Sequence, residues 1–496
     1  MILNASEFYS YYRPSPCELR VFLRQNAPEE EMPLGPFEEL LKRLGIDHEK
    51  EHLQALLTSY EMTDLSEGDM GERVEKTKAA ITQGSQFIYH GLFLASTVIN
   101  GARVEIIGEP DFILRGGSGY IVRDAKLSKR INEKEHPEIF RQMELYGWLF
   151  EQVIGTPPER LEIYGGSKEL TPIGYDGGRN AFAELGEIIR FRTCGQEPYC
   201  PVGWSKCNSC GFFSYCWGQA ELRKDLALVF QVDQNLARAL HDIGICTIEE
   251  LLDNFDEARL SCFERPWGAK TQKVGKKAGQ IILMAQAMAE NQEIVMAKAE
   301  LPSHDNFVMF DVESVPPQIE DIEKVYLWGL KVYGENPSGY LASPAEVGED
   351  GDRKCWLGFL DSAKSIFENY GSIPFVHWSS YEKTCVKRYI DRYGDGGGIG
   401  TRVLDNLLDL LPLVRSSVAL PVPSYSLKVV EQYVGFCRSQ SEYGGEWSMA
   451  KYIEAVETED EQERESLLDE IIQYNREDLD ATWAVLEWYK NRMCEL

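Results

Sequence analysis

The stretch that most constrains how this chain can fold is Gly108–Arg130, with the sequence GEPDFILRGGSGYIVRDAKLSKR. An apolar run follows Asp111, a glycine-rich turn reverses the chain, and a second strand-like run covers residues 120–127. This pattern predicts a β-hairpin. Because Asp124 and Lys126 are two residues apart on the second strand, their side chains should leave the same face of the sheet.

Asp111 lies on the partner strand of this predicted hairpin, from which it can reach the same place. Two carboxylates beside an ammonium group suit a hard divalent cation such as Mg²⁺ or Mn²⁺. The Lys126 ammonium would orient a water and stabilise the charge that develops on a phosphate under attack. A hairpin with ordinary solvated charges would carry the same residues, so this stretch by itself leaves a purely structural role open.

Motifs on both sides of the hairpin favour a metal site over a purely structural role for these charges. Pro110 directly precedes Asp111, and Gln142 and Tyr146 are one helical turn apart in RQMELYGWLF. Upstream, His48 stands at the start of the predicted amphipathic helix in LGIDHEKEHLQAL. In this order the motifs resemble those of the RecB-like branch of the PD-(D/E)xK nucleases.

This resemblance implies a restriction-endonuclease-like α/β core that uses Mg²⁺ or Mn²⁺. The family's histidine ligand would be His48, whereas His90 in QFIYHGLF is a weaker candidate that we expect to pack beside the hairpin. The residues that match the catalytic motifs are Asp111, Asp124, Lys126, Gln142 and Tyr146, and those that match the metal ligands are His48, Asp111 and Asp124.

Length and composition limit the class of protein. The 496 residues, of which 43% are hydrophobic, suffice for two to four domains. A net charge of −29 and a pI of about 4.8 argue against a broad nucleic-acid-binding surface. A nuclease of this charge must confine its positive potential to clefts or take it from a partner such as a helicase. No apolar run approaches the roughly 20 residues of a membrane span, and nothing suggests a secretion signal, so we expect a cytoplasmic protein without membrane contact.

Cysteines cluster after the predicted nuclease core. Cys207, Cys210 and Cys216 have the spacing C-x2-C-x5-C, and Cys194 and Cys200 precede them. In such a chain cysteines are reduced thiols or metal ligands rather than disulfides. Close thiolates bind Zn²⁺ or an iron–sulfur cluster. A local zinc site would use Cys200, Cys207, Cys210 and Cys216.

A second ligand set uses Cys17 in place of Cys200. One cysteine before the nuclease core and three after it resemble the CRISPR-associated RecB-like exonucleases and the AddB helicase–nuclease. That resemblance implies a [4Fe–4S] cluster that joins the two ends of the nuclease domain. Its ligands would be Cys17, Cys207, Cys210 and Cys216. The additional Cys200 departs from the pattern and leaves zinc open.

Residues 223–300 have a helical pattern. LARALHDIGICTIEELLD predicts a helix-hairpin-helix unit with Thr247 as N-cap of its second helix. GAKTQKVGKKAGQIILMAQAMA is expected to repeat the unit, with lysines near a second glycine turn. Such lysines and backbone amides would bind a phosphate backbone without reading bases, whereas a helical linker with a solvated lysine face is the alternative. The candidate nucleic-acid-binding residues are Lys270, Lys273, Lys276 and Lys277.

The segment from 301 to 496 alternates strands and helices. Asp311 and Glu313 lie on one face of the predicted strand NFVMFDVESV, and Glu382 begins the helix SSYEKTCVKRYIDRY. Tyr474 and Asp478 are at i and i+4 of a late helix. This combination resembles the DnaQ-like (DEDD) exonucleases of the ribonuclease H fold, in the tyrosine variety.

The second resemblance implies a site with two Mg²⁺ or Mn²⁺ ions, in which Tyr474 positions the attacking water. The carboxylate ligands would be Asp311, Glu313, Glu382 and Asp478. These exonucleases usually have aspartate where this chain has Glu382, and Asp405 and Asp409 are rival candidates for that position.

Together these patterns predict a multidomain α/β protein. We expect a RecB-like nuclease domain at 1–222, a helical domain at 223–300 and a ribonuclease-H-like domain at 301–496. The layout resembles a bacterial family of predicted RecB-like nucleases. It implies a metal-dependent DNA nuclease, an exonuclease preferring single strands, with a possible second 3′–5′ site. The alternative is a non-catalytic scaffold that binds nucleic acid or a helicase.

Overall fold

A computed structural model describes residues 1–26, 36–268, 270–298, 301–316, 323–345, 349–440 and 443–494. The chain is a mixed α/β protein with two compact units. The first contains Glu38–Cys200 and Lys206–Cys216 together with residues 1–26, and the second contains Pro201–Ser205 and the described residues from Trp217 onward. Within these ranges, no helix combines the length and the apolar character that a membrane span requires.

The first unit contains a six-stranded sheet with the order β2-β3-β6-β7-β8-β9 and a three-stranded sheet with the order β1-β5-β4. The strands are β1 (Ile2–Asn4), β2 (Met62–Asp64), β3 (Phe87–Tyr89), β4 (Phe93–Ile99), β5 (Ala102–Gly108), β6 (Phe112–Arg115), β7 (Tyr120–Lys126), β8 (Arg160–Gly165) and β9 (Leu170–Ile173). The helices up to residue 223 are α1 (Ser6–Tyr12), α2 (Glu18–Asn26), α3 (Pro36–Leu57), α4 (Met70–Gln83), α5 (Pro137–Ile154), α6 (Arg179–Thr193), α7 (Trp204–Cys207) and α8 (Phe213–Arg223).

The predicted hairpin is confirmed. Strands β6 and β7 pair antiparallel, with Phe112 opposite Arg123, and β7 pairs in parallel with β8. Ile113 and Val122 are buried in one core with Met143, Leu145 and Leu149 of helix α5. The apolar residues of the opposite face, among them Phe112 and Ile121, are buried in a second cluster with Leu56 of α3. A side chain at Gly108 would overlap Leu149 and Tyr146, so glycine lets α5 approach the end of β5 closely. This contact places the polar face of α5 beside the hairpin.

A buried polar cluster joins α3 to the same sheet. His52 is 7% exposed, and its ring stacks on Tyr164 with centroids 3.7 Å apart. Arg123 donates from Nη1 to His52 Nε2 over 3.0 Å and forms two bonds with Glu162. Burial, and then the nearby charges of Arg123 and His48, lower the pKa of His52 to about 4.

His52 should therefore make the first unit sensitive to acid. Between pH about 6.5 and 4 the unfolded chain binds a proton that the folded state excludes, so stability is lost as the pH falls through this window. The full loss is at most roughly 3 kcal/mol. Urea unfolding of His52→Gln, which keeps an acceptor for Arg123, should show a weaker pH dependence than the parent protein. Equal slopes would contradict a neutral buried His52.

The second unit contains a five-stranded sheet with the order β15-β14-β13-β16-β17 and the two-stranded sheets β10-β11 and β12-β18. Its strands are β10 (Glu264–Trp267), β11 (Lys270–Lys273), β12 (Ile294–Val295), β13 (Asn306–Val315), β14 (Lys324–Gly334), β15 (Leu341–Pro344), β16 (Phe375–His377), β17 (Leu407–Asp409) and β18 (Val418–Ala419). Its helices are α9 (Gln234–His241), α10 (Ile248–Asn254), α11 (Glu257–Cys262), α12 (Ala278–Glu290), α13 (Glu349–Tyr370), α14 (Tyr381–Tyr393), α15 (Ile399–Asp405), α16 (Leu410–Ser417), α17 (Leu427–Tyr433), α18 (Gly445–Glu457) and α19 (Glu461–Cys494).

Of the two helix-hairpin-helix units that we predicted in residues 223–300, only the first has two helices joined by a turn. Helices α9 and α10 flank the turn at Gly244, which has a φ of +84°, and Thr247 caps α10 in a capping box with Glu250. The expected second helix-hairpin-helix unit is wrong. Strands β10 and β11 pair antiparallel there instead, and Lys276 and Lys277 lie in the 3₁₀ turn Gly275–Lys277.

Candidate metal centres

The first candidate site lies at the start of β6 and the end of β7. Asp111 immediately precedes β6, and its Oδ2 accepts from the backbone N–H of Ala125 over 2.7 Å. Lys126 Nζ lies 2.5 Å from Asp124 Oδ2, and the Asp111 N–H donates to Asp124 Oδ1 over 3.3 Å. The structure thus brings together the two carboxylates and the ammonium that the hairpin pattern predicted on one face.

The charges of this group influence one another strongly. Burial raises the pKa of Asp111 well above its ordinary value, and the Asp124 charge raises it further. Burial acts to lower the pKa of Lys126, but the charges of Asp124 and Asp111 outweigh it and raise the pKa. The two carboxylates therefore favour the charged form of Lys126 beside them.

Helix α5 supplies the predicted glutamine and tyrosine. Gln142 Nε2 donates to Tyr146 Oη over 2.8 Å and lies 3.3 Å from Asp124 Oδ2. Tyr146 is 5% exposed, and burial raises its pKa well above the ordinary value. The neutral phenol thus orients the Gln142 amide, and the amide in turn donates to the Asp124 carboxylate.

The histidine in this site is His90 rather than His48. Glu49, His90 and Asp111 each place a ligand atom within 4.8 Å of the other two. His90 Nε2 lies 3.0 Å from Glu49 Oε1, to which Tyr89 Oη also donates over 2.6 Å. His90 has a φ of +53°, a left-handed conformation that is uncommon for a non-glycine residue and is often found at functional sites.

His48 faces another part of the sheet. Its Nε2 lies 3.3 Å from the Tyr164 carbonyl oxygen, and its ring stacks on Tyr164 with His52, one helical turn further along α3. Glu49, the next residue, is rotated about 100° around the helix and faces Asp111. Sequence reasoning missed Glu49, although its position directly after His48 was the available signal.

The second candidate site is centred on β13. Asp311 and Glu313 leave the same face of this strand, and α19 brings Asp478 to them, so that one oxygen of each carboxylate lies within 4.8 Å of the others. Asn475 donates from Nδ2 to Asp311 Oδ2 over 2.7 Å. Gly329 is opposite Asp311 on β14 and leaves room for Asn475. A Cβ at position 329 would overlap Asn475 Oδ1. Sequence reasoning missed Asn475, which lies one turn before Asp478.

This carboxylate group fits a divalent cation. Burial, and then the charges of Asp478 and Glu313, raise the pKa of Asp311 well above its ordinary value. Burial and the Asp478 charge raise the pKa of Glu313 to about 8. Like charges held this close in a buried place destabilise the folded protein unless a proton or a cation neutralises them. An all-oxygen donor set is the kind that Mg²⁺ and Mn²⁺ prefer.

Two cations already contact this group. Arg438 binds both oxygens of Glu431 at 2.7 Å and also pairs with Asp478. Lys428 donates from Nζ to Tyr474 Oη over 3.0 Å and lies 3.6 Å from Asp478 Oδ1. Tyr474, the predicted water-positioning residue, is therefore next to the carboxylate group. The Lys428 ammonium, which sequence reasoning did not identify, lies there as well.

Glu382 lies near this group. It is buried at the start of α14, its Oε2 lies 3.2 Å from His377 Nδ1, and its charge contributes to the raised pKa of Asp311. Asp409 caps α16 by accepting from the Leu411 N–H over 3.2 Å, and Asp405 is exposed. Glu382 therefore stays the predicted fourth carboxylate.

The cysteines that the sequence pattern singled out lie in the first unit. Cys17 Sγ lies 3.5 Å from Cys200 Sγ, and both thiols pack with Cys210, Cys216 and Phe212. Burial, and then the charges of the neighbouring cysteines, including Cys207, raise the pKa of Cys216 to about 12. Cys194 instead donates to the Phe191 carbonyl oxygen over 2.9 Å. The distant Cys17 and the local Cys200 thus occupy the same cluster, which keeps both predicted ligand sets open.

A family model matches the C-terminal part of the second unit. Residues 308–490 match the family model RNase_H_2, which is described as part of the RNase_H superfamily. This segment is therefore a ribonuclease-H-like domain, a class of nucleic-acid-processing fold that uses divalent metals. No curated protein matches the chain. A solved structure, "Crystal structure of SSO0001", is 16% identical and covers 43% of this chain and 85% of its own, with a TM-score of 0.23.

Proposed function

We propose that the protein is a divalent-metal-dependent nuclease that hydrolyses phosphodiester bonds of DNA and acts as an exonuclease on single strands. The observation that carries the proposal is the convergence of Asp311, Glu313 and Asp478 within a ribonuclease-H-like domain. The pKa values of Asp311 and Glu313 are raised by burial and mutual repulsion, which a bound cation relieves.

At this site each side chain has a separate task. When bound, divalent ions would neutralise the phosphate and promote ionisation of the attacking water. Asp311, Glu313 and Asp478 would hold them, and Tyr474 would orient the water. Lys428 lies beside Asp478 and would stabilise the charge that develops on the phosphate. The resemblance to the tyrosine-type DEDD exonucleases favours cleavage from the 3′ end.

The first unit would provide a second, RecB-like site. Asp111 and Asp124 would hold a divalent ion together with His90 and Glu49, which lie close to Asp111. Lys126 would orient the attacking water and stabilise the charge of the transition state. The protein ligands at both sites lie on strands and helices, or directly beside them, and the cores hold these elements in place, which favours a preorganised geometry.

The proposal is tested with labelled oligonucleotides. The purified protein is incubated with single-stranded and duplex DNA and with RNA, each labelled at the 5′ or the 3′ end, in Mg²⁺, Mn²⁺ or EDTA. We expect metal-dependent shortening of single-stranded DNA. A rival function, a scaffold that binds nucleic acid or a helicase, is favoured by the net charge of −29. Retained binding without cutting in any divalent metal would establish the scaffold instead.

We also propose that the cysteine cluster binds [4Fe–4S] through Cys17, Cys207, Cys210 and Cys216. Anaerobically purified protein should be brown and contain iron and sulfide, and Cys17→Ser should bleach it and destabilise the first unit. Cys194→Ser is the matched control, because that thiol bonds to a backbone carbonyl outside the cluster.

Cys200→Ser separates this proposal from zinc. An iron–sulfur protein should keep its colour in Cys200→Ser, since Cys200 is the fifth cysteine. A colourless protein with one equivalent of zinc, which Cys200→Ser loses and Cys17→Ser keeps, would show that the local zinc site is correct.

A further inference from the structure

One surface of the second unit has a charge opposite to that of the chain. Residues 265–280, RPWGAKTQKVGKKAGQ, contain one arginine and four lysines and no acidic residue. The whole chain carries 80 acidic and 51 basic residues. A block of positive charge in a chain with a net charge of −29 is a local attraction site for a polyanion.

The structure displays these lysines on a hairpin. Strands β10 and β11 form an antiparallel two-stranded sheet in which Trp267 is opposite Lys270 and Glu264 is opposite Lys273. All four lysines, two on β11 and two in the following 3₁₀ turn, are exposed. Among the described residues, none of these four ammonium groups forms an ion pair with a carboxylate. Their charge is available to a ligand.

An aromatic ring lies at the end of the same hairpin. Trp267 is 55% exposed, although tryptophan normally contributes to stability by burial. The Arg265 guanidinium lies 4.9 Å from the Trp267 ring centroid, and Arg265 is itself buried and paired with Asp233, the N-cap of α9. The indole is thus held by an anchored arginine while more than half of its surface remains open.

We propose that β10, β11 and the 3₁₀ turn that follows them form a binding platform for single-stranded DNA, on which Trp267 stacks an unpaired base. Lys270, Lys273, Lys276 and Lys277 contact the phosphates on either side. The combination of an exposed stacking ring and neighbouring lysines is typical of sequence-tolerant single-strand binding. A paired base is already stacked within the duplex, so Trp267 favours single strands. The inference rests on the proposed function and names the substrate-binding surface that it requires.

Binding is measured without metal, so that it is independent of hydrolysis. Fluorescence anisotropy of labelled oligo-dT in EDTA should show that Trp267→Ala weakens binding roughly tenfold, as expected for the loss of one stacked base. Trp267→Phe should restore most of the affinity. On an oligonucleotide without bases, Trp267→Ala should have no effect, because only a base can stack.

The lysines are tested by the salt dependence of the same binding. Lys270→Gln with Lys273→Gln should reduce the slope of log K against log salt by about 1.4, since each phosphate contact on a single strand contributes about 0.7. Lys364→Gln, which removes an exposed lysine charge from α13, is the matched control and should leave the slope unchanged.

Several outcomes would overturn the inference. These are parental affinity of Trp267→Ala for oligo-dT, an equal loss on the base-free strand, or tighter binding of polyglutamate than of oligo-dT, which would indicate an acidic protein partner. A protein that fails to cut DNA but loses binding with Trp267→Ala would refute the proposed catalysis and retain this platform.

Discussion

Asp311→Asn should lower the rate of phosphodiester hydrolysis at the ribonuclease-H-like site by orders of magnitude. Asp311 shares its place with Glu313 and Asp478, and removal of one of these charges leaves the cation and the phosphate poorly held. Asparagine keeps an oxygen that accepts from Asn475, so the local packing is preserved. Cleavage from the 3′ end is the activity that should disappear. The affinity for Mn²⁺, measured by calorimetry, should fall as well.

Stability distinguishes this loss from misfolding. Burial and neighbouring carboxylates raise the pKa of Asp311, so its charge opposes folding, and the metal-free Asp311→Asn protein should be at least as stable as the parent near neutral pH. Asp305→Asn, the same change at an exposed position just before β13, is the matched control. If Asp311→Asn retains every activity and Asp111→Asn abolishes them all, the C-terminal domain only binds its ligand, and Glu382 is the departure that explains it.

Lys126→Met should abolish cleavage at the RecB-like site while leaving its metal binding intact or stronger. The Lys126 ammonium lies 2.5 Å from Asp124 and competes with a cation for that carboxylate, so its removal frees a ligand. The same ammonium stabilises the charge on the phosphate in the transition state, and its loss should lower the rate by orders of magnitude. Opposite changes in affinity and rate separate catalysis from folding.

The two sites must be measured separately. Lys126→Met is therefore prepared in the Asp311→Asn background, and single-turnover cleavage is followed at saturating Mn²⁺. Lys134→Met, at an exposed position before α5, provides the control. Unimpaired cutting by the Lys126→Met, Asp311→Asn protein would refute the assignment of the first site.

Relationships within single elements followed from the sequence alone. The i, i+2 period of a strand placed Asp124 beside Lys126, and the i, i+4 period of a helix placed Gln142 beside Tyr146. The capping box at Thr247 is equally local. These features were predictable because the backbone geometry of a strand or a helix fixes which neighbours share a face, wherever the element lies in the fold.

The choice among candidates from different elements needed the tertiary structure. His48 and His52 stack on Tyr164, and this packing turns the neighbouring Glu49 toward Asp111, where His90 completes the group. No periodicity within α3 selects one of two adjacent residues for a site on another element. The rotation of the helix depends on how many of its apolar and aromatic contacts the sheet can bury.

The lysine segment shows the same dependence. Its turn residues and lysines suited a helix-hairpin-helix unit, but Arg265 of β10 is buried in an ion pair with Asp233 of α9, and the segment forms a hairpin. Likewise, Asn475 contacts Asp311 and Lys428 contacts Asp478 only because distant parts of the chain meet in the fold. The same is true of the contact between Cys17 and Cys200. The sequence determined which chemistry each element offers, whereas the tertiary structure decided which groups meet, because burial and pairing of charges are properties of the whole fold.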